Sequence, residues 1–228
     1  GITGISWGGY LTCIVAGVDP RFACAIPVYG CGFQQHNGEW LKRFAKMTPE
    51  QCQAWHAKGD PSVYLGSAAL PMLFVSGTND KAYPFNILEM SCALPRGPVT
   101  QCVRIAMPHG HEHGWNPREI GIFADQYLKG GVPLPSIGIC KRAGYSVSAE
   151  FASPTPIRKA YLIYTRSLDH CPARQWQAEP ATLASAIVQA TLPEHTSAAF
   201  LAIEDDRDAY VSSTYLDLTS DSKSGIKT

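Results

Sequence analysis

The stretch Gly4-Ile5-Ser6-Trp7-Gly8-Gly9, close to the start of the chain, decides how the rest is interpreted. It fits the pattern Gly-x-Ser-x-Gly, in which a tight turn from a strand into a helix holds the serine in a strained conformation. Glycines two positions before and after the serine lack a Cβ, so neighbouring backbone can approach closely. Such a turn exposes Ser6 at the end of a sheet, with the backbone N–H of Trp7 directed at the same place. The stretch therefore predicts a serine nucleophile and one donor of an oxyanion hole.

Helical and apolar patterns alternate from this stretch to residue 131. The alternation is typical of parallel βαβ units covered by helices, so we predict an α/β fold for residues 1–131. Buried strands are predicted over residues 22–29, 70–77 and 99–107, and helices over residues 7–17, 84–94 and 117–128.

Asp80 closes the sequence Gly77-Thr78-Asn79-Asp80, at the carboxyl end of a predicted strand. Open α/β sheets bind their ligands at that end. A carboxylate there can accept the Nδ1–H of a histidine and stabilise the imidazolium that forms during catalysis. An aspartate that only caps the next helix is the alternative interpretation.

Three histidines follow the third predicted strand in the sequence Pro108-His109-Gly110-His111-Glu112-His113-Gly114-Trp115. The chain order of serine, aspartate and histidine fits a catalytic triad. The base should reach Ser6 Oγ and Asp80 together, at ~2.6–3.2 Å. We expect His109 or His111 to be this base, and His113 to lie on the loop surface or the rim of the pocket.

The same three histidines raise the alternative of a metal site. In an extended segment, side chains two and four residues apart face the same way and could converge on zinc. Against a metal site, this segment contains two glycines and follows a proline. The rest of the chain also offers no cluster of residues that would supply a fourth ligand. We therefore predict no metal and no other cofactor.

Residues 30–66 interrupt the sheet pattern and predict a helical insertion or lid, with helices from Glu39 to Lys46 and from Pro49 to Lys58. Its aromatic side chains either line an acyl pocket or form the core of a small helical insert. The candidate oxyanion or substrate-binding residues are Trp7, Tyr29, Phe33, Trp40 and Trp115, with Trp55 as a further pocket aromatic.

Composition excludes several classes of protein. The 228 residues carry 19 basic and 19 acidic side chains, and no basic cluster is interleaved with aromatics, so we expect no nucleic-acid partner. No apolar run reaches the ~18 residues of a membrane span. Eight scattered cysteines leave the redox compartment open.

The pattern changes after residue 131. The prolines of residues 132–136 predict a stiff linker. Short runs of alternating apolar and polar residues then predict a β-sandwich-like domain over residues 137–219, and residues 220–228 are predicted to be a polar tail. Trp176 is a candidate core aromatic. Asp205, Asp206 and Asp208 are interpreted as solvated charges of a hairpin loop rather than as a calcium turn.

Taken together, the three motifs resemble the acetyl-xylan-esterase/dienelactone-hydrolase-like branch of the α/β-hydrolases, which neighbours the prolyl oligopeptidases. The resemblance covers residues 1 to about 135 and implies Ser6 as nucleophile, Asp80 as orienting acid and Trp7 N–H as oxyanion donor. It favours His111 as the base, because a Gly-His pair is common at this point in such hydrolases. It also implies a small-molecule or carbohydrate ester as substrate and a secreted or periplasmic location.

The departure from this family lies before the serine, where about five further strands are expected. The sequence therefore resembles the C-terminal part of a longer protein, with the N-terminal half as its missing partner and source of the second oxyanion donor. Residues 1–228 alone are expected to be poorly soluble or inactive, because one edge of the sheet has no neighbour.

These observations predict a serine esterase that acts through an acyl-enzyme, with peptidase activity less favoured. Two other functions stay open: a non-catalytic carbohydrate- or surface-binding protein on a hydrolase scaffold, and a metal-dependent hydrolase that uses His109, His111 and His113.

Overall fold

The computed structural model describes residues 1–219, and the chain divides into two compact units at the Gly131–Val132 junction. The predicted tail, residues 220–228, lies outside the described residues. No helix within residues 1–219 is long and apolar enough to cross a bilayer.

The first unit contains four parallel strands in the order β1-β2-β3-β4. Every residue of β2 and β3 is buried, as expected for central strands of a parallel sheet with both faces covered. The strands are β1 (Ile2–Ile5), β2 (Ala25–Val28), β3 (Met72–Gly77) and β4 (Val99–Arg104).

Seven α-helices and one 3-10 helix follow or connect these strands and confirm the predicted alternation. They are α1 (Trp7–Val18), the 3-10 helix Gln34–His36, α2 (Gly38–Phe44), α3 (Pro49–Gly59), α4 (Ser62–Leu65), α5 (Phe85–Cys92), α6 (His111–Trp115) and α7 (Glu119–Lys129). Gly130 ends α7 with a positive φ of 68°, a conformation that glycine adopts without steric cost.

Helix α1 lies unusually close to the end of β2. A Cβ on Gly9 would stand 2.3 Å from the Val28 carbonyl oxygen, and one on Gly30 would stand 2.0 Å from the Gly9 carbonyl carbon. Backbone therefore packs on backbone at this point, and only glycine fits at either position. This contact fixes the helix that follows Ser6 against the sheet.

The predicted helical insertion is present as α2, α3 and α4. Thr48 begins α3 with a capping box, in which its hydroxyl accepts the Gln51 N–H and its own N–H reaches Gln51 Oε1. Trp55 packs on Trp40 and Phe44, with ring centroids 5.1 and 5.0 Å apart. Trp55 therefore belongs to the aromatic core of the insertion.

The second unit is all-β and antiparallel. One group of strands runs β13-β12-β8-β9 with β14 on β12, and the other runs β10-β11-β7-β5 with β6 on β7. Strand β11 contacts β8 and β12, so the two groups pack as layers. The strands are β5 (Ser136–Ile137), β6 (Lys141–Ala143), β7 (Ser146–Ala152), β8 (Ile157–Thr165), β9 (Trp176–Pro180), β10 (Thr182–Ala184), β11 (Ile187–Thr191), β12 (Ala198–Asp205), β13 (Tyr210–Ser212) and β14 (Leu216–Asp217).

The predicted fold class, an α/β unit followed by an all-β unit, is confirmed. Strand β5 already begins at Ser136, which the sequence assigned to the linker. Trp176 packs edge-on against Phe200, with centroids 5.7 Å apart. The expectation of solvated charges in the β12–β13 hairpin is wrong for Asp205, which is fully buried.

Candidate active site

Ser6 occupies the single residue between β1 and α1. Its backbone has φ 56° and ψ −114°, a strained combination for a residue with a side chain. The Ser6 N–H donates to the Val28 carbonyl oxygen at 2.9 Å, which fixes the turn against β2. The turn therefore holds Ser6 at the carboxyl end of the parallel strands.

The two glycines of the motif differ in their importance. A Cβ on Gly4 would stand 2.5 Å from the Gly8 carbonyl carbon, a distance that backbone atoms cannot relieve without moving. A Cβ on Gly8 would meet nothing within 4 Å. Close approach thus requires glycine at the first position and does not require it at the second.

Asp80 lies in the loop after β3, where the sequence placed it. Its buried carboxylate accepts three hydrogen bonds: Oδ1 from the N–H groups of Ala82 (2.8 Å) and Tyr83 (3.0 Å), and Oδ2 from His109 Nδ1 (2.7 Å). Donors on both oxygens satisfy the buried charge and fix the direction of the carboxylate. Asp80 is therefore oriented for a single histidine.

His109 joins this carboxylate to the serine. Its Nε2 lies 2.8 Å from Ser6 Oγ, and its side chain is 25% exposed, so it can exchange protons with solvent and substrate. A proton on Nδ1 is donated to Asp80, which leaves Nε2 free to accept the Ser6 hydroxyl. The bonds of His109 to Ser6 and to Asp80 both fall within the ~2.6–3.2 Å expected for the catalytic base.

The histidine favoured by the sequence, His111, does not occupy this position. Strand β4 ends at Arg104, and the loop that follows contains Ala106 with a positive φ of 48°. Along this loop it is His109, and not His111, whose side chain reaches Ser6. His111 is the first residue of α6 and is exposed, as is His113. The alternative assignment, His109, is the one that fits the geometry.

The same helix separates His111 from His113. The metal interpretation assumed an extended segment, whereas these two residues are related by a rotation of about 200° about the axis of α6, and His109 lies outside the helix with its ring nitrogens on Asp80 and Ser6. Within residues 1–219, no group of three or more histidine, cysteine, aspartate or glutamate side chains is arranged to hold a metal ion.

Tyr29 supports the histidine and does not line the cavity. It has a positive φ of 59°, is fully buried, and donates its hydroxyl to the Pro108 carbonyl oxygen at 2.6 Å. Its ring centroid lies 4.5 Å from that of His109. Burial raises the pKa of the Tyr29 hydroxyl, which therefore stays protonated and keeps this donor. The prediction that Tyr29 contacts substrate is thus not met by its position.

A cavity of about 410 Å³ opens beside the serine. Trp7 and Trp40 form one wall, with ring planes 16° apart and centroids 5.6 Å apart. Its lining residues are Ser6, Trp7, Glu39, Trp40, Arg43, Lys81, Ala82 and Tyr83. Two of the predicted pocket aromatics are therefore in place.

Two others lie elsewhere. Phe33 precedes the 3-10 helix with a positive φ of 58° and packs near His36, and Trp115 is 45% exposed at the end of α6. Their positions depend on loop geometry that residue type does not reveal.

Four charged or phenolic residues line the cavity without having been candidates from the sequence: Glu39, Arg43, Lys81 and Tyr83. The sequence did contain a signal for Arg43 as a cavity residue. It lies three residues after the candidate Trp40 in a predicted helix, and residues three apart share a helix face. Lys81 directly follows Asp80 and could have been included for the same reason of proximity.

Comparisons with known proteins give matches only among solved structures. No protein-family model and no curated protein matches the chain. An acetyl xylan esterase from Paenibacillus sp. R4 is similar at 22% identity and a TM-score of 0.44, over 55% of this chain and 44% of that one. A 2,6-dihydroxy-pseudo-oxynicotine hydrolase is similar at 22% identity and a TM-score of 0.44, over 57% of this chain and 41% of that one. The chain thus spans less than half the length of either structure.

Proposed function

We propose that this protein is a serine hydrolase that cleaves carboxylic esters through an acyl-enzyme. The observation that carries the proposal is the continuous hydrogen-bond chain from Ser6 Oγ through His109 to Asp80, at 2.8 and 2.7 Å. The preference for esters over amides rests on the resemblance of the three sequence motifs to esterases.

The first half of the reaction forms the acyl-enzyme. Ser6 Oγ attacks the ester carbonyl while His109 Nε2 takes the hydroxyl proton, and Asp80 stabilises the resulting imidazolium. The N–H of Trp7, at the first position of α1, has no acceptor within the helix and is proposed as an oxyanion donor. His109 then gives its proton to the departing alcohol.

The second half releases the acid. Water attacks the acyl-enzyme carbonyl while His109 Nε2 accepts one of its protons. The intermediate collapses, the bond to Ser6 Oγ breaks, and the proton returns from His109 to the serine. The products are one alcohol and one carboxylic acid per ester consumed.

Labelling with a fluorophosphonate probe tests the proposal, because such probes bond covalently to an activated serine. We expect the native protein to be labelled and Ser6→Ala to remain unlabelled. Ser76→Ala is a control for a buried serine on β3. Labelling that persists in Ser6→Ala would exclude Ser6 as the nucleophile.

A further inference from the structure

The cavity beside Ser6 carries an excess of positive charge. Arg43 and Lys81 both line it, and within residues 1–219 neither makes an ion pair with a carboxylate. The one acidic side chain of the lining, Glu39, is hydrogen-bonded to Lys42 at 3.0 Å. That hydrogen bond, with the Lys81 charge nearby, lowers the pKa of the Glu39 carboxyl. The negative charge in the lining is thus already compensated.

Arg43 is held over the tryptophan wall. Its guanidinium carbon lies 4.8 Å from the centroid of the Trp40 ring, within the range of a cation–π contact. Its charge also reaches Tyr83, where it opposes the rise in pKa that burial gives the phenol. Arg43 therefore lies against Trp40 in the lining of the cavity, and its exposed guanidinium can donate hydrogen bonds to a ligand.

The remaining carboxylate near the cavity, Asp80, is not one of the lining residues. The Asp80 carboxylate is fully buried and accepts hydrogen bonds from His109 and two backbone N–H groups. An arginine without a carboxylate partner, beside an aromatic surface, is suited to bind a planar anion such as a carboxylate.

We propose that the preferred substrates are anionic esters, in which a carboxylate on the acyl or the alcohol part is bound by Arg43 and Lys81 while Ser6 attacks the ester carbonyl. This inference rests on the proposed esterase function and adds the charge class of its substrate. Arg43 supplies a bidentate donor pair and Lys81 supplies a second positive charge.

The test compares each anionic ester with a neutral ester in which a methyl group caps the carboxylate. On the acyl side, the p-nitrophenyl monoester of adipic acid is compared with its methyl-capped diester. On the alcohol side, 4-acetoxybenzoate is compared with its methyl ester. We expect the ratio of kcat/KM for the anionic over the neutral ester to be about five to ten in one of the two pairs, and to fall as salt is added.

Variants of the charged residues then test whether the cavity causes this preference for the anionic ester. Arg43→Gln should bring the ratio close to one, Lys81→Gln should lower it, and Arg43→Lys should retain part of it. Lys46→Gln removes the same charge from an exposed position outside the cavity lining and should leave the ratio unchanged. A ratio near one in both pairs, or an equal fall in Lys46→Gln, would overturn the inference. Failure to cleave any of the four esters would count against the esterase function itself.

Discussion

Asn37 donates a hydrogen bond from Nδ2 to the carbonyl oxygen of Ala82 at 2.6 Å, and so connects the helical insertion to the loop that carries Asp80. The same amide nitrogen donates to Gln34 Oε1 at 2.9 Å, and its Oδ1 accepts the Glu39 N–H at the start of α2. Asn37 is fully buried. One side chain therefore sets α2, with Trp40 and Arg43, relative to the loop that orients His109.

Replacing Asn37 tests this connection. Asn37→Asp keeps the oxygen that caps α2 but sets a carboxylate oxygen against the Ala82 carbonyl, so we expect a loss of about 2 kcal/mol in the free energy of unfolding. We also expect kcat to fall at least tenfold in the folded protein, because small displacements of a catalytic group are costly. Chemical denaturation and steady-state kinetics measure the two effects. Asn116→Asp, an exposed site, is the control; unchanged kcat in Asn37→Asp would show that the connection does not position the site.

The glycines of the serine turn allow a matched comparison. Gly4→Ala should lower stability by about 1–3 kcal/mol, because its Cβ would stand 2.5 Å from the Gly8 backbone. Gly8→Ala meets open space and lies in a helix, so it should be neutral or raise stability by about 0.5–1 kcal/mol. Urea denaturation of both variants measures the difference. Equal losses would contradict the packing that we describe for this turn.

Asp205 predicts a pH dependence of stability in the second unit. Burial acts to raise the pKa of its carboxyl, but the Ala209 N–H, the Arg207 side chain and the Thr155 hydroxyl outweigh it, so the pKa lies below the usual value. The stability from these bonds is present above the unfolded pKa of about 3.9 and is lost as the pH falls through the folded pKa.

Asp205→Asn should therefore cost about 2 kcal/mol at pH 7, since it removes a charged acceptor, and the difference from the native protein should shrink towards pH 3. Urea denaturation at several pH values gives this difference. Glu194→Gln, at an exposed position of the second unit, should show a small effect that is independent of pH. A cost for Asp205→Asn that stays constant between pH 7 and pH 3 would refute the role given to the carboxylate.

The sequence could locate Ser6 because it stands in the Gly-x-Ser-x-Gly pattern, and Asp80 because it comes shortly after a strand that its own apolar run defines. It could not choose between His109 and His111, because that choice depends on six loop residues after β4. The positive φ of Ala106 and the start of α6 at His111 set the direction of the histidine, and neither is evident from residue types. The expected Gly-His pair is present, but its histidine is part of a helix.

The insertion shows a second limit. Its two longer helices could be predicted from the sequence, whereas the buried polar residues that stabilise it could not. Asp60 accepts the N–H groups of Phe33 and Gln34 at 2.8 and 2.9 Å, and it is almost fully buried. A polar residue in a loop is usually exposed, so only the three-dimensional arrangement identifies these contacts. The charged lining of the cavity depends on the same arrangement.

Steady-state ester hydrolysis by His109→Gln and His111→Gln, measured side by side, decides whether His109 is the catalytic base. We expect kcat/KM to fall at least about a thousandfold in His109→Gln and to stay within about threefold of the native value in His111→Gln, because His109, and not His111, is hydrogen-bonded to both Ser6 and Asp80. A large loss in His111→Gln, with His109→Gln still active, would contradict this role of His109.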